Sequence, residues 1–280
     1  IIDMLDKHIE NSAYVPILRQ RIERGDLAQS RHINGAVDGF QAALYDLASV
    51  LSQEGSHRFS LLYGRIAEYL NASDPMVKLL IADIHSALDL NDKAINYYAS
   101  VEEQSDFYPL AQMEMAHIYE QADMIEETLT TYHRIRTAYP VISDLVAMRI
   151  GHVLRRDNQY IEAIEYYSDV IKGITEPQAD DWIVFYNRGM AYEQTDQWPK
   201  AEADLEKALE LNPDQPYVLN YLGYSWADRG INQKQALKLI SKAIKERPYD
   251  GYIIDSMGWI LYRIGRFSEA LDYLERAIQL

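Results

Sequence analysis

Three glycines, Gly189, Gly223 and Gly258, recur 34 and 35 residues apart, and each is followed 12 or 13 residues later by an alanine, Ala201, Ala236 and Ala270. Short polar breaks lie between them: "EQTDQW", "DRGINQKQ" and "RIGRFSE". Self-similarity at this period means stacked supersecondary units, none of which buries its apolar face alone. Each unit reads as a helix, a tight turn and a second helix, with small residues where the two backbones cross closely.

In "FYNRGMAY…AEADLEKALELNP" the spaced positions are Phe185, Gly189, Tyr192, Ala201, Leu205, Ala208 and Pro213. In "LNYLGYSW…ALKLISKAIKERP" they are Leu219, Leu222, Gly223, Trp226, Ala236, Ile240, Ala243 and Pro248. The pattern resembles the tetratricopeptide repeat (TPR), which implies an all-α fold, a right-handed superhelical solenoid of helix-turn-helix units. The small-residue position then runs Ala48, Ala82, Ala116, Gly151, Gly189, Gly223 and Gly258. Its second-helix counterpart runs Ser60, Ala94, Thr128, Ala163, Ala201, Ala236 and Ala270, and the gap-filling position Gly64, Tyr98, Tyr132, Tyr167, Leu205, Ile240 and Leu274. Seven units follow, about 41–74, 75–108, 109–142, 143–181, 182–215, 216–250 and 251–280. Pro75, Pro109, Pro140, Pro177, Pro213 and Pro248 fall near the boundaries, where a residue without an N–H ends one helix and helps start the next. The fourth unit is stretched by "KGITEPQADD", Lys172–Asp181.

Residues 1–40 read as a helical segment, a degenerate repeat or the tail of upstream repeats. Ile2, Leu5 and Ile9 share one helical face, and Val15, Leu18 and Ile22 another. "QSRHINGAVDG" (Gln29–Gly39) reads as a linker or irregular bend. The chain begins without Met and reads as part of a longer protein. At the other end Phe267, Ala270, Leu271, Leu274 and Ile278 make a full apolar stripe with nothing after Leu280 to cover it. Continuation of the chain, a capping partner or a second copy would each satisfy it, continuation being the favoured expectation.

Net charge is −16, from 43 acids against 27 bases, which argues against nucleic acid and anionic membranes as partners. There is no cysteine, so disulfides and cysteine-based metal sites are excluded. No apolar run approaches the roughly 20 residues of a membrane span. The N-terminus lacks the basic start and apolar centre of a signal peptide. "GYSWA" (Gly223–Ala227) has Ala227 where a hydrolase nucleophile elbow needs its second Gly. Phosphate loops and HExxH spacing are absent. Nothing brings together a nucleophile, a base and an orienting group, so an enzyme, a cofactor and a metal site are not expected.

In TPR arrays the first helix of each unit lines a concave groove. By resemblance the C-terminal groove residues are Tyr186, Asn187, Met190, Tyr217, Asn220, Tyr221, Tyr224, Tyr252, Asp255, Trp259 and Tyr262. Rings give contact area at low entropy cost, and Asn can bond a partner's backbone. Tyr98, Tyr132, Tyr167, Tyr192 and Trp226 are assigned to packing. His117 and His152 occupy one position in successive units, with Arg149, Arg155 and Arg156 close by: either a small patch for a partner's carboxylate or phosphate, or solvated side chains with the arginines favouring a helix C-terminus. The Lys and Asn clamp of chaperone-binding TPRs is missing.

The reading is a non-catalytic protein–protein interaction module or scaffold that binds a partner's peptide or helix in the groove within a bacterial assembly. The alternatives are a structural scaffold that self-assembles through its exposed ends and an accessory subunit of an envelope machine. The stretch "NYLGYSWADRG…AIKERPYDGYIIDSMGWILYRIGR" resembles long bacterial multi-TPR proteins, many of them exported. That implies a periplasmic home, with the cytoplasm as the alternative.

Overall fold

The structure, a computed structural model, describes residues 35–280; the two helical stretches expected before them lie outside the described residues. Fourteen α-helices and no strand occur among the described residues. They are α1 (Ala36–Gln53), α2 (His57–Leu70), α3 (Pro75–Ala87), α4 (Asn91–Ala99), α5 (Tyr108–Gln121), α6 (Ile125–Ala138) and α7 (Ser143–Arg156). There follow α8 (Tyr160–Gly173), α9 (Trp182–Gln194), α10 (Trp198–Leu211), α11 (Pro216–Arg229), α12 (Gln233–Glu246), α13 (Gly251–Arg263) and α14 (Phe267–Ile278). The chain divides into two compact units, one running to Val153 and the other from Leu154 to Leu280, the division falling within α7.

The bend expected over Gln29–Gly39 does not persist to Gly39: α1 starts at Ala36. A single Gly costs a helix about 1 kcal/mol, and burial of Leu44 and Ala48 on the same helix outweighs it.

Each two-helix turn contains a residue in the left-handed region: Gly55, Asp89, Asp123, Asn158, Asp196, Gly230 and Gly265, with Asn232 beside Gly230. Only Gly, Asn and Asp enter that region at little cost, which is why each polar break of the sequence holds one. Between pairs, side-chain caps and prolines start the next helix. Asp74 accepts from the N–H groups of Met76 and Val77, with Pro75 as the first residue of α3. Asp250 does the same for Tyr252 and Ile253 at the start of α13.

Packing within the pairs follows from side-chain size. In the second unit a Cβ on Gly189 would lie 3.1 Å from Leu205 Cγ, one on Gly223 2.8 Å from Ile240 Cγ1, and one on Gly258 2.6 Å from Leu274 Cγ. The same three atoms would stand 3.2–3.3 Å from the carbonyl oxygens of Ala201, Ala236 and Ala270. The two helices therefore touch backbone to backbone, and the Leu or Ile four residues after each alanine closes on the glycine. In the first unit the small residues are Ala48, Ala82 and Ala116, all fully buried. Ser60 Oγ donates to the Ala48 carbonyl at 2.6 Å and ties α2 to α1. Tyr98 and Tyr132, both buried, fill the gap there.

Polar ties lock the second unit. Arg188 Nε and Nη2 donate to the two Asp204 oxygens at 2.7 and 2.8 Å, and Arg188 Nη1 donates to Ser168 Oγ at 3.2 Å, joining α8, α9 and α10. Trp226 Nε1 donates to Glu202 Oε1 at 2.5 Å between α11 and α10. Trp226 and Tyr167 are buried, but Tyr192 is only half-buried. Its ring carries the Arg188 guanidinium at 5.5 Å and the Lys200 ammonium at 5.2 Å, so it packs under cations rather than in the core.

Candidate functional site

In the second unit α9, α11 and α13 carry an aromatic surface. Trp182 meets Tyr186 at 5.9 Å between ring centroids, and Tyr186 meets Tyr221 edge-on at the same separation. Trp259 stacks on Tyr262 at 5.9 Å, and Tyr262 leans on Phe267 at 5.6 Å. Tyr217 and Tyr224 stand 43% and 39% exposed; Tyr252, Asp255 and Tyr262 are exposed, and Met190 is half-buried. Burial pushes the Tyr186 hydroxyl up to about 12. Burial also raises Tyr221, with the Glu193 carboxylate beside it, and raises Tyr224, which faces Asp228, Asp255 and Glu193. The cations of this surface are engaged: Arg229 pairs with Glu193 at 3.5 Å and covers Trp198, while Arg263 pairs with Asp228 at 3.3 Å and covers Trp259. The surface offers rings and carboxylates.

Two of the expected residues behave differently. Asn187 is buried, and its Nδ2 donates to the Ile183 carbonyl one turn back at 2.8 Å, so that donor is engaged by its own helix. Tyr221 is half-buried with its ring against Tyr186, a support for the surface more than part of it. Asn220 Oδ1 and Trp259 Nε1 are buried without a hydrogen-bond partner.

The cationic patch is not free charge. In the first unit His117 and Arg149 act on Glu114, Arg149 also acts on Tyr132 beside Glu120, and His117 Nε2 shares a hydrogen bond with Gln121 Nε2 at 2.8 Å. In the second unit Arg155 lies beside Tyr167 and Tyr186. His152 is half-buried and Arg156 is exposed. Glu114 and the tyrosines lie within reach of these charges.

The first unit holds a feature that the sequence reading passed over. A cavity of about 470 Å³ opens between α1, α3 and α5, lined by Tyr45, Ser49, Met76, Leu79, Leu80, Asp83, Phe107, Leu110 and Glu114. The Tyr98 hydroxyl donates to Asp83 Oδ1 at 2.5 Å and fixes that carboxylate at the cavity. Groove positions counted from the first helix pair include Tyr45, Ser49, Met76, Leu79 and Asp83.

No cluster of three metal-ligating side chains occurs among the described residues. Among them, too, no helix is long and apolar enough to cross a membrane.

Against known families, tetratricopeptide repeat models match residues 182–215, which are α9 and α10 with their flanks, and 252–280, which hold α13 and α14. The chain belongs to the tetratricopeptide repeat family. It is 32% identical over 187 residues to a TPR repeat-containing protein of Pseudomonas aeruginosa, a stretch that takes in 67% of this chain and 31% of that protein. The chain thus spans about a third of the length of that TPR relative. It is also 30% identical over 152 residues to the photosystem I assembly protein Ycf3 of a Synechococcus strain, covering 50% of this chain and 83% of Ycf3. Among solved structures, the C-terminal part of a TPR repeat-containing protein from Cytophaga hutchinsonii superposes with a TM-score of 0.64. It shares 18% identity and covers 84% of this chain and 98% of that one. That likeness speaks for the TPR fold alone. The family's repeats are protein-interaction scaffolds, the class of function that this chain shares.

Proposed function

We propose that the chain is a non-catalytic scaffold whose first helices hold a segment of a partner protein, in a bacterial assembly and in the periplasm. The observation that carries this reading is the aromatic face of α9, α11 and α13. Half-exposed tyrosines stand on these helices with carboxylates between them; Arg229 and Arg263 are paired, and Arg247 lies over the Tyr217 ring. Rings held this way give a partner contact area without much loss of side-chain freedom. An extended or helical segment fits a row of such positions at helical spacing. The name of the Ycf3 relative, an assembly protein, supports a role in assembly.

Crosslinking and capture in cells would compare the wild type with Tyr217→Ala/Tyr224→Ala. Both tyrosines are half-exposed, so the variant should keep its helicity and melting point and lose the captured partner. Capture unchanged by the double substitution sinks the reading.

A second reading, self-association, draws on α14. Phe267, Leu271 and Ile278 are exposed along one of its faces, a contiguous apolar surface of the kind that marks interaction sites.

A further inference from the structure

The cavity of the first unit differs in character from the aromatic face of the second. Its walls are apolar, from Met76 and Leu79 on α3 and Leu110 on α5, and Tyr45 on α1 adds a ring. Two carboxylates end in it, Asp83 from α3 and Glu114 from α5. Asp83 accepts one hydrogen bond, from Tyr98, and Glu114 takes part in no hydrogen bond or ion pair within bonding distance among the described residues. Burial and then the Asp83 carboxylate raise the Glu114 carboxyl above its usual range, although His117 and Arg149 pull it down. A carboxylate kept in such surroundings without a donor gains more from a cation than a solvated one does.

We propose that this cavity receives an arginine side chain from a partner protein, its methylenes against Met76, Leu79 and Leu110 and its guanidinium between Asp83 and Glu114. The proposal rests on the reading that the first helices hold a partner and specifies what a segment bound at the first unit must contain. Arginine fits on three grounds. Its stem is apolar and its head charged, which matches walls and end. Its planar fork bonds two carboxylates at once, where an ammonium acts as a point charge. It also stacks on rings such as Tyr45. The chain's net charge of −16 draws a basic segment in from a distance.

The full chain, with its Met and Leu methyl groups isotopically labelled, would be titrated with n-butylguanidinium, n-butylammonium and n-butanol. Saturable shifts of the Met76, Leu79, Leu80 and Leu110 methyls are expected with butylguanidinium. They should be at least tenfold weaker in Asp83→Asn/Glu114→Gln, in which the amide oxygen introduced at position 83 can still accept from Tyr98. Butanol should leave the methyls where they are. The proposal is overturned if butylguanidinium moves none of these methyls, if the double substitution leaves its affinity unchanged, or if butylammonium binds more tightly. Helical circular dichroism melts of both proteins establish that the variant is folded. A partner captured through Tyr217 and Tyr224 without any guanidinium shift leaves the groove reading standing and removes this one. A guanidinium shift without a captured partner leaves the cavity a guanidinium site and removes the partner's segment as the source of the arginine.

Discussion

The two units use the same helix pair but close it with different residues. In the second, Gly189, Gly223 and Gly258 let the backbones touch, and Leu205, Ile240 and Leu274 stop against them. In the first three helix pairs, all in the first unit, alanine replaces glycine, and in the second and third of them the gap is filled by Tyr98 and Tyr132, whose rings are buried. A leucine ends in the core, whereas a tyrosine carries a hydroxyl that must find a partner. Tyr98 finds Asp83 and Tyr132 finds Glu120, both on the first helix of their own pair. The packing of the first unit is thereby tied to its carboxylates. In the second unit packing and surface are separate, and the rings of the surface can change without touching the glycine contacts.

The largest test of this contrast is Gly258→Ala. Alanine gains about 1 kcal/mol of helix propensity over glycine, but its Cβ would lie 2.6 Å from Leu274 Cγ and 3.3 Å from the Ala270 carbonyl oxygen. Overpacking of that kind costs about 1–3 kcal/mol, so a net loss of about 1–2 kcal/mol is expected, seen as faster hydrogen exchange in α13 and α14. Adding Leu274→Ala should relieve the clash. No loss in the single variant would mean that the glycines are not what sets the helix separation.

Tyr98→Phe comes next, with a loss of about 1 kcal/mol for one hydrogen bond, read by denaturant unfolding. Its more telling effect is on butylguanidinium, which should bind more weakly because Asp83 loses the bond that fixes it. Unchanged affinity would separate core and cavity in the first unit as they are separated in the second.

The smallest effect belongs to Glu114→Gln. A carboxyl raised in the folded state binds its proton more readily there than in the unfolded chain, so its charge opposes folding once the pH is above the folded value. That cost is absent at pH values below the ordinary carboxylate range. The variant should therefore be slightly more stable than wild type at neutral pH, with the advantage disappearing as pH falls through the carboxylate range. Melting curves across that range measure it. A variant that is less stable at neutral pH would place Glu114 in a stabilising contact instead.

The helix pairs were legible in the sequence because close packing needs only size, and size is visible at a fixed period in Gly189, Gly223 and Gly258. The left-handed turns were legible as well, since so few residue types enter that region. The surfaces were harder. Asn187 sits one position after Tyr186, and on a helix that step turns a side chain by about 100°, from the exposed face to a bond with Ile183. The arginines read as an isolated patch because the groups that feel their charge come from other helices: Glu114 for Arg149, Tyr186 for Arg155. Asp83 looks like any solvated acid until Tyr98, fifteen residues on, is seen to hold it.

All four tryptophans of the chain, Trp182, Trp198, Trp226 and Trp259, belong to the second unit, and the first has only tyrosines for chromophores besides Phe. Indole emission therefore reports on one half of the molecule and is blind to the other. Unfolding followed at once by fluorescence and by far-ultraviolet dichroism would show without any label whether the two units melt together. A ligand that settles near Trp259 would change the emission, whereas one that enters the cavity beside Asp83 would leave the light unaltered.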